Sequence, residues 1–305
     1  KRFDEYGNDK ITGTNGFYAM KAHWSEHPDR DEAWADAERA RIGEERFRRE
    51  HECEFLIFDE TLISSLTLAD MEGTTPVETT GQVRWFKRPT PGHTYMVSLD
   101  PSMGTGGDFA AIQIFELPTF EQIGEWHHNM TPMNQQVRIL QGINKHIHDT
   151  IMEKDASATP QIFYSMENNT IGEAALMRVM DIGEENIMGM FLSEPIRKGH
   201  RRKFRRGFNT TAKHKIDACT KFKELVEGGK MKINSQLLIS EMKDFVASGL
   251  SYKAKPGQHD DLVSACLLMT RMMKVLADFD PKIFEKWTDR TSEVTPMPIF
   301  GSFTG

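Results

Sequence analysis

The sequence predicts an α/β domain over about residues 90 to 280, and three observations lead there. Two apolar, β-branched or aromatic runs, Thr94–Asp100 and Phe109–Glu116, flank a loop with three glycines, the pattern of a strand, a tight turn and a second strand. Helix-spaced and strand-like segments then alternate along the chain. Finally, Leu262–Ala277 is apolar on most faces, as a helix buried inside a layered fold is.

The elements follow in order. Residues 1–16 are polar and glycine-containing and read as loop, and Phe17–Trp24 reads as a strand. Asp31 to Glu54 is rich in Ala, Arg and Glu without proline, a helix broken near Gly43, with Asp29 or Asp31 able to cap its start. Val83–Phe86 is a short strand within a stretch poor in long apolar runs. After the glycine hairpin, Gln122–His127 is a third strand. In residues 133–149, Val137, Leu140 and Ile147 recur at helical spacing. Gln161–Met166 is a fourth strand, followed by a helix through Ala174 to Met180 and a short strand over Ile187–Phe191. Thr210 or Thr211 caps a helix stopped by Gly228-Gly229. Lys230–Asn234 reads as a strand, Leu237–Ala247 as a helix, and Leu250–Tyr252 as extended. His259-Asp260-Asp261 opens the last helix.

Composition narrows the classes. The chain has 305 residues, 38% of them apolar, enough for one large core or two modest ones. No run of 18 apolar residues exists to span a membrane. Cys53, Cys219 and Cys266 lie far apart with no CxxC or Cys/His cluster, which argues for reduced thiols and against structural zinc. The formal charge of −7 conceals an uneven distribution. Residues 1–60 hold 10 basic against 16 acidic side chains, whereas Arg197 to Arg206 carries seven positive charges and no acid.

Three acids occupy chemically suggestive places: Asp100 ends the first strand, Glu167 follows the fourth, and Asp261 starts the last helix. If those elements are neighbours, the carboxylates converge, and a cluster of three cannot stay ionised without cations. Oxygen ligands of this kind suit Mg²⁺ or Mn²⁺. Two such ions roughly 3.5–4 Å apart activate a water and stabilise the leaving oxygen of a phosphodiester. Asp260 competes with Asp261 as either ligand or helix cap. Asp108 either joins the site or merely closes the glycine loop, and His259 reads as an ordinary hydrogen-bonding histidine. The basic run Arg197, Lys198, Arg201, Arg202, Lys203, Arg205 and Arg206, extended by Lys213 and Lys215, suits phosphate contact without base specificity.

Three segments together resemble the nuclease part of tailed-phage large terminases of the myophage type. They are Leu99-Asp100-Pro101-Ser102 with Gly106-Gly107-Asp108-Phe109-Ala110, Met166-Glu167-Asn168-Asn169-Thr170-Ile171-Gly172, and Gly257-Gln258-His259-Asp260-Asp261-Leu262-Val263. The resemblance implies an RNase H-like mixed central sheet with flanking helices, preceded by a small, mostly helical segment. It implies a nuclease that cuts concatemeric double-stranded DNA with two Mg²⁺ or Mn²⁺ ions on Asp100, Glu167 and Asp261, with Asp108 and Asp260 as further candidate ligands. Phe17–Pro28 and Phe47–Phe55 resemble the end of that family's ATPase domain, and Phe86-Lys87-Arg88-Pro89 the lead-in to its nuclease.

The expected organisation is therefore residues 1–63 as the end of an ATPase domain, 64–92 as linker and lead-in strand, 93–280 as nuclease and 281–305 as tail. The sequence contains no GxxxxGK[ST] phosphate loop, so ATP hydrolysis is not expected of it alone. The resemblance further implies an ATPase core, a portal ring and a small terminase subunit as partners, in the host cytoplasm at the procapsid. Other RNase H-like nucleases of resolvase or transposase type share such acids. A non-catalytic DNA-binding or capsid-docking module stands as the alternative outside enzymes.

Overall fold

A computed structural model describes residues 2–3, 9–10, 23–52, 60–195 and 206–279. The chain divides into two units, residues 1–58 and 59–305. In the first unit, β1 (Arg2–Phe3) pairs antiparallel with β2 (Asp9–Lys10). Residues 24–26 form a single 3₁₀ turn, so Trp24 is not in a strand; most of the Phe17–Trp24 strand expected from sequence lies outside the described residues. Helices α1 (Glu32–Ile42) and α2 (Glu44–His51) part at Gly43, whose φ of +84° suits a residue without a Cβ. The Asp31 side chain caps α1 by accepting from Trp34 N at 2.8 Å. Trp24, Ala35 and Phe47 form this unit's small core.

The second unit begins with α3 (Ser65–Asp70) and the hairpin β3 (Glu78–Thr80)–β4 (Val83–Trp85). The central strands follow: β5 (Thr94–Asp100), β6 (Ala110–Leu117), β7 (Glu121–His128), β8 (Gln161–Met166) and β9 (Met190–Phe191). Together they make a seven-stranded sheet ordered β3-β4-β7-β6-β5-β8-β9. It is antiparallel from β3 to β5 and parallel across β5, β8 and β9, so β5 lies where a meander meets crossover connections. Between β7 and β9 come α4 (Met133–Lys154) and α5 (Thr170–Ile182), and after β9 come α6 (Ala212–Glu227) and α7 (Gln236–Asp244). The hairpin β10 (Phe245–Ser248)–β11 (Ser251–Ala254) precedes α8 (Asp261–Phe279).

Strand alternation sorts β5 between two layers. Tyr95, Val97 and Leu99 join the core formed with Val137, Leu140 and Ile147 of α4 and with Ala175 and Val179 of α5. The intervening residues face α8: the buried Ser98 hydroxyl donates to the Ala265 carbonyl at 2.8 Å. Asp100 therefore emerges on the α8 side. Most of the α8 side chains from Leu262 to Leu276 are under 6% exposed, which explains why its sequence is apolar nearly all round.

Three expected elements differ. Lys230–Asn234 is not a strand: Lys232 forms only an isolated bridge to Glu121, and Asn234 N then donates to the Gln122 side chain at Oε1, so the ladder does not continue. The helix expected over Leu237–Ala247 stops at Asp244, because residues 245–248 pair with 251–254 across a two-residue turn at Gly249 (φ +61°). The strand over Ile187–Phe191 shrinks to Met190–Phe191. Among the described residues no helix is long and apolar enough to cross a membrane.

Candidate active site

Glu167 is held by its backbone before its side chain does anything. Its N–H donates to Leu99 O at 3.1 Å, one residue before Asp100, and it bridges to Phe208 on the other side. The β5–β8 pairing is parallel with Leu99 opposite Met166, so Asp100 and Glu167 leave adjacent strand ends together. The Glu167 carboxyl is close enough to Asp100 to raise its pKa. Asn169 completes this corner: its Oδ1 accepts from Ile171 N and Gly172 N, capping α5, while its Nδ2 donates to Glu167 Oε2 at 3.0 Å.

Asp261 comes from the opposite direction, at the first turn of α8. The Phe109 backbone N–H is near enough to its carboxylate to favour the charged form, which places the far end of the glycine loop beside that helix. His259 Nδ1 lies 3.5 Å from Asp261 Oδ2, an oxygen that is buried and has no hydrogen-bond partner. Burial, together with neighbouring Asp260 and Asp108, pushes Asp261 up to about 6. Asp100 is raised well above the carboxylate range, by burial first and then by Glu167, Asp261 and Asp260. Asp100 thus feels both of the other sequence-predicted acids. Asp260 faces Lys215 at 3.8 Å, and Asp108 is exposed at the loop's end.

The donor chemistry fits hard divalent cations: carboxylate oxygens crowded until they retain protons, one of them buried and orphaned. As placed, no three His, Cys, Asp or Glu side chains among the described residues stand close enough to hold an ion. Asp100, Glu167 and Asp261 are the acids that the sequence offers as ligands for such ions.

Sequence reading missed several neighbours. Glu241 of α7 reaches the start of α8, where its Oε2 accepts from Leu262 N and Val263 N. Burial pushes this carboxyl up to about 9 and His127 down to about 4. The two therefore face each other uncharged at neutral pH, 3.6 Å apart. Phe109 stacks on His127 at 4.1 Å between centroids and meets His259 edge-on at 4.8 Å. A cavity of about 160 Å³ opens beside Glu167, walled by Thr210, His214, Lys215 and Arg271. Arg271 is held there by Glu194 and by Asn209 O.

At Gly104 the glycine loop packs against the segment that leads into α4. Gly104 has φ +69°, and a Cβ there would lie 2.1 Å from the Thr131 carbonyl oxygen, just before α4. Of the basic residues, Arg197, Lys198, Arg201, Lys203, Arg202 and Arg205 lie outside the described residues. Arg206 pairs with Glu184 and lies over the Phe191 ring, Lys213 is exposed, and Lys215 faces Asp260.

A mixed sheet that is antiparallel on one side and parallel on the other, with acids at the ends of its central strands, defines an RNase H-like α/β fold. More narrowly, the chain belongs to the family of terminase RNaseH-like domains, whose model matches residues 97–272. Among solved structures it is similar to the large terminase nuclease of thermophilic phage G20c with bound magnesium. The two are 16% identical, the match covers 70% of this chain and 97% of that one, and the TM-score is 0.51. The cobalt-bound form of that nuclease matches equally, at 16% identity, 70% and 97% coverage and a TM-score of 0.51. A further structure of it matches at 18% identity over 68% of this chain and 96% of that one, with a TM-score of 0.50. At these identities the likeness is one of fold.

Proposed function

We propose that this chain is the metal-dependent endonuclease of a viral DNA-packaging motor and hydrolyses double-stranded DNA during processing of concatemers. The observation that supports this most directly is the raised Asp100 carboxyl, at a strand end, which burial, Glu167 and Asp261 at the start of α8 all push the same way. Membership of the terminase family and the magnesium and cobalt held by the G20c nuclease support the same reading.

When bound, two Mg²⁺ or Mn²⁺ ions would supply an activated water and stabilise the leaving oxygen. The protein's own part is positional. Asn169 orients Glu167, the Phe109 N–H favours the charged form of Asp261, and the β5–β8 pairing sets Asp100 beside Glu167. Asp108 and Asp260 add negative charge around the same point. Lys213, Lys215, Arg206 and the basic run before them hold the DNA backbone by charge, without reading sequence.

Residues 1–63 are the end of a packaging ATPase domain, 64–92 lead into the nuclease over 93–280, and 281–305 form a tail. The chain's partners in this reading are an ATPase core, a portal ring and a small terminase subunit, at the procapsid in the host cytoplasm. The test is plasmid cleavage with Mg²⁺ or Mn²⁺ present or chelated. The proposal expects cation-dependent linear product from wild type and none from Asp100→Asn.

A further inference from the structure

The first N–H groups of a helix lack intrahelical partners, and the residue preceding the helix normally supplies an oxygen to them. For α8 that residue is Asp260. Yet it is Glu241, in α7, whose Oε2 accepts from Leu262 N at 2.8 Å and Val263 N at 3.1 Å. Asp260 contributes its backbone carbonyl, which accepts from Ser264 N at 2.7 Å, while its carboxylate turns to Lys215. Capping by a distant residue leaves the side chains of both Asp260 and Asp261 available to the acidic site.

Glu241 is itself braced. Its other oxygen, Oε1, is buried without a hydrogen-bond partner and lies 3.6 Å from His127 Nε2, which is also unpartnered. His127 is fixed by stacking on Phe109, which also meets the His259 ring, and His259 Nδ1 lies 3.5 Å from Asp261 Oδ2. A chain of contacts therefore runs from α7 through β7 to the glycine loop and back to the first turn of α8.

We propose that Glu241 is a positioning residue of the acidic site, capping α8 in place of Asp260 and so setting the direction in which Asp261 presents its carboxylate. This rests on the nuclease reading given above. Groups that orient a metal ligand typically alter metal affinity by about 10–100-fold when removed, even though they touch no metal. A cap that only stabilised the helix would lower the melting temperature and leave cation affinity alone.

The experiment measures Mn²⁺ binding to the whole chain by electron paramagnetic resonance of the free ion, beside thermal unfolding without metal. Glu241→Ala loses the cap, and Glu241→Asp withdraws the carboxylate by one methylene; both are expected to bind Mn²⁺ about tenfold or more weakly. Glu241→Gln, which can present a carbonyl oxygen where Oε2 lies, is expected to keep most of the wild-type affinity. Wild-type Mn²⁺ affinity in the Ala and Asp variants, whatever their melting temperatures, overturns the proposal. If the Ala variant does not fold, the Asp variant decides by the same criterion. Asp100→Asn is measured alongside. Wild-type binding in that variant, or no Mn²⁺ binding by wild type, overturns the nuclease reading itself and the Glu241 role with it.

Discussion

Asp100 and Glu167 leave adjacent ends of the parallel β5–β8 pair, tied by the Glu167 N–H that donates to the Leu99 carbonyl, and Glu167 helps to raise the Asp100 carboxyl. Burial first, and the Glu167 carboxyl next, keep a proton on Asp100 at pH values where an exposed aspartate has lost it. A cation entering between the two carboxyls takes the proton's place. Mn²⁺ binding should therefore release protons, read as a dependence of calorimetric heat on the ionisation enthalpy of the buffer. The release should be greater at pH 6 than at pH 8, because Asp261, pushed up to about 6, adds its share at the lower pH. Identical heats in all buffers would contradict this.

Cleavage should fall as pH drops through about 6, where Asp261 takes up a proton. Between pH 7 and pH 5 its ionised fraction falls about tenfold, and the rate at fixed Mn²⁺ should fall at least as much. Stability of the metal-free protein should run the opposite way. The folded-state value of Asp261 is raised, so the unfolded chain gives up its proton first. The contribution of this group is therefore present at low pH and lost as pH rises from the ordinary aspartate value to about 6. Asp261→Asn should flatten that part of the melting profile.

Gly172, in the first turn of α5, has no room for a side chain. A Cβ there would lie 1.8 Å from the carbonyl oxygen of Glu167. Gly172→Ala should cost about 1–3 kcal/mol of stability through overpacking. It should also slow cleavage on the order of a hundredfold by moving Glu167. A stable Gly172→Ala variant with wild-type rate would show that the position of Glu167 is not critical.

DNA binding should weaken steeply with salt, and removing each cation that meets a phosphate should reduce the log–log slope by about 0.9. Neutralising Arg201, Arg202, Lys203 and Arg205 together, or Lys213 alone, should lower the slope without changing sequence preference. Titrations of fluorescent duplexes measure this, and an unchanged slope removes those residues from the interface.

The places of Asp100, Glu167 and Asp261 in the fold were legible because each sits where an element ends or begins, at positions that strand alternation and a helix start make recognisable. Glu241 was not. It lies in an ordinary amphipathic stretch, and its partners are 21 and 22 residues away, a relation no local period encodes. The same reason hid Arg271 beside Glu167, since its fixing contacts to Glu194 and Asn209 are long-range. Helix propensity also misled at residues 245–247, where pairing with 251–254 overrode it. By contrast, the split at Gly43 and the Thr211 cap of α6 follow from local chemistry, and local chemistry showed them.

Everything proposed about the site depends on Asp100 acting with cations on DNA. Supercoiled plasmid incubated with wild type and Asp100→Asn, in Mn²⁺ or Mg²⁺ and again with chelator, tests this most directly. Linear product from wild type only, abolished by chelation, is the expected result. Cleavage by Asp100→Asn at the wild-type rate, or cleavage that survives chelation, would contradict it.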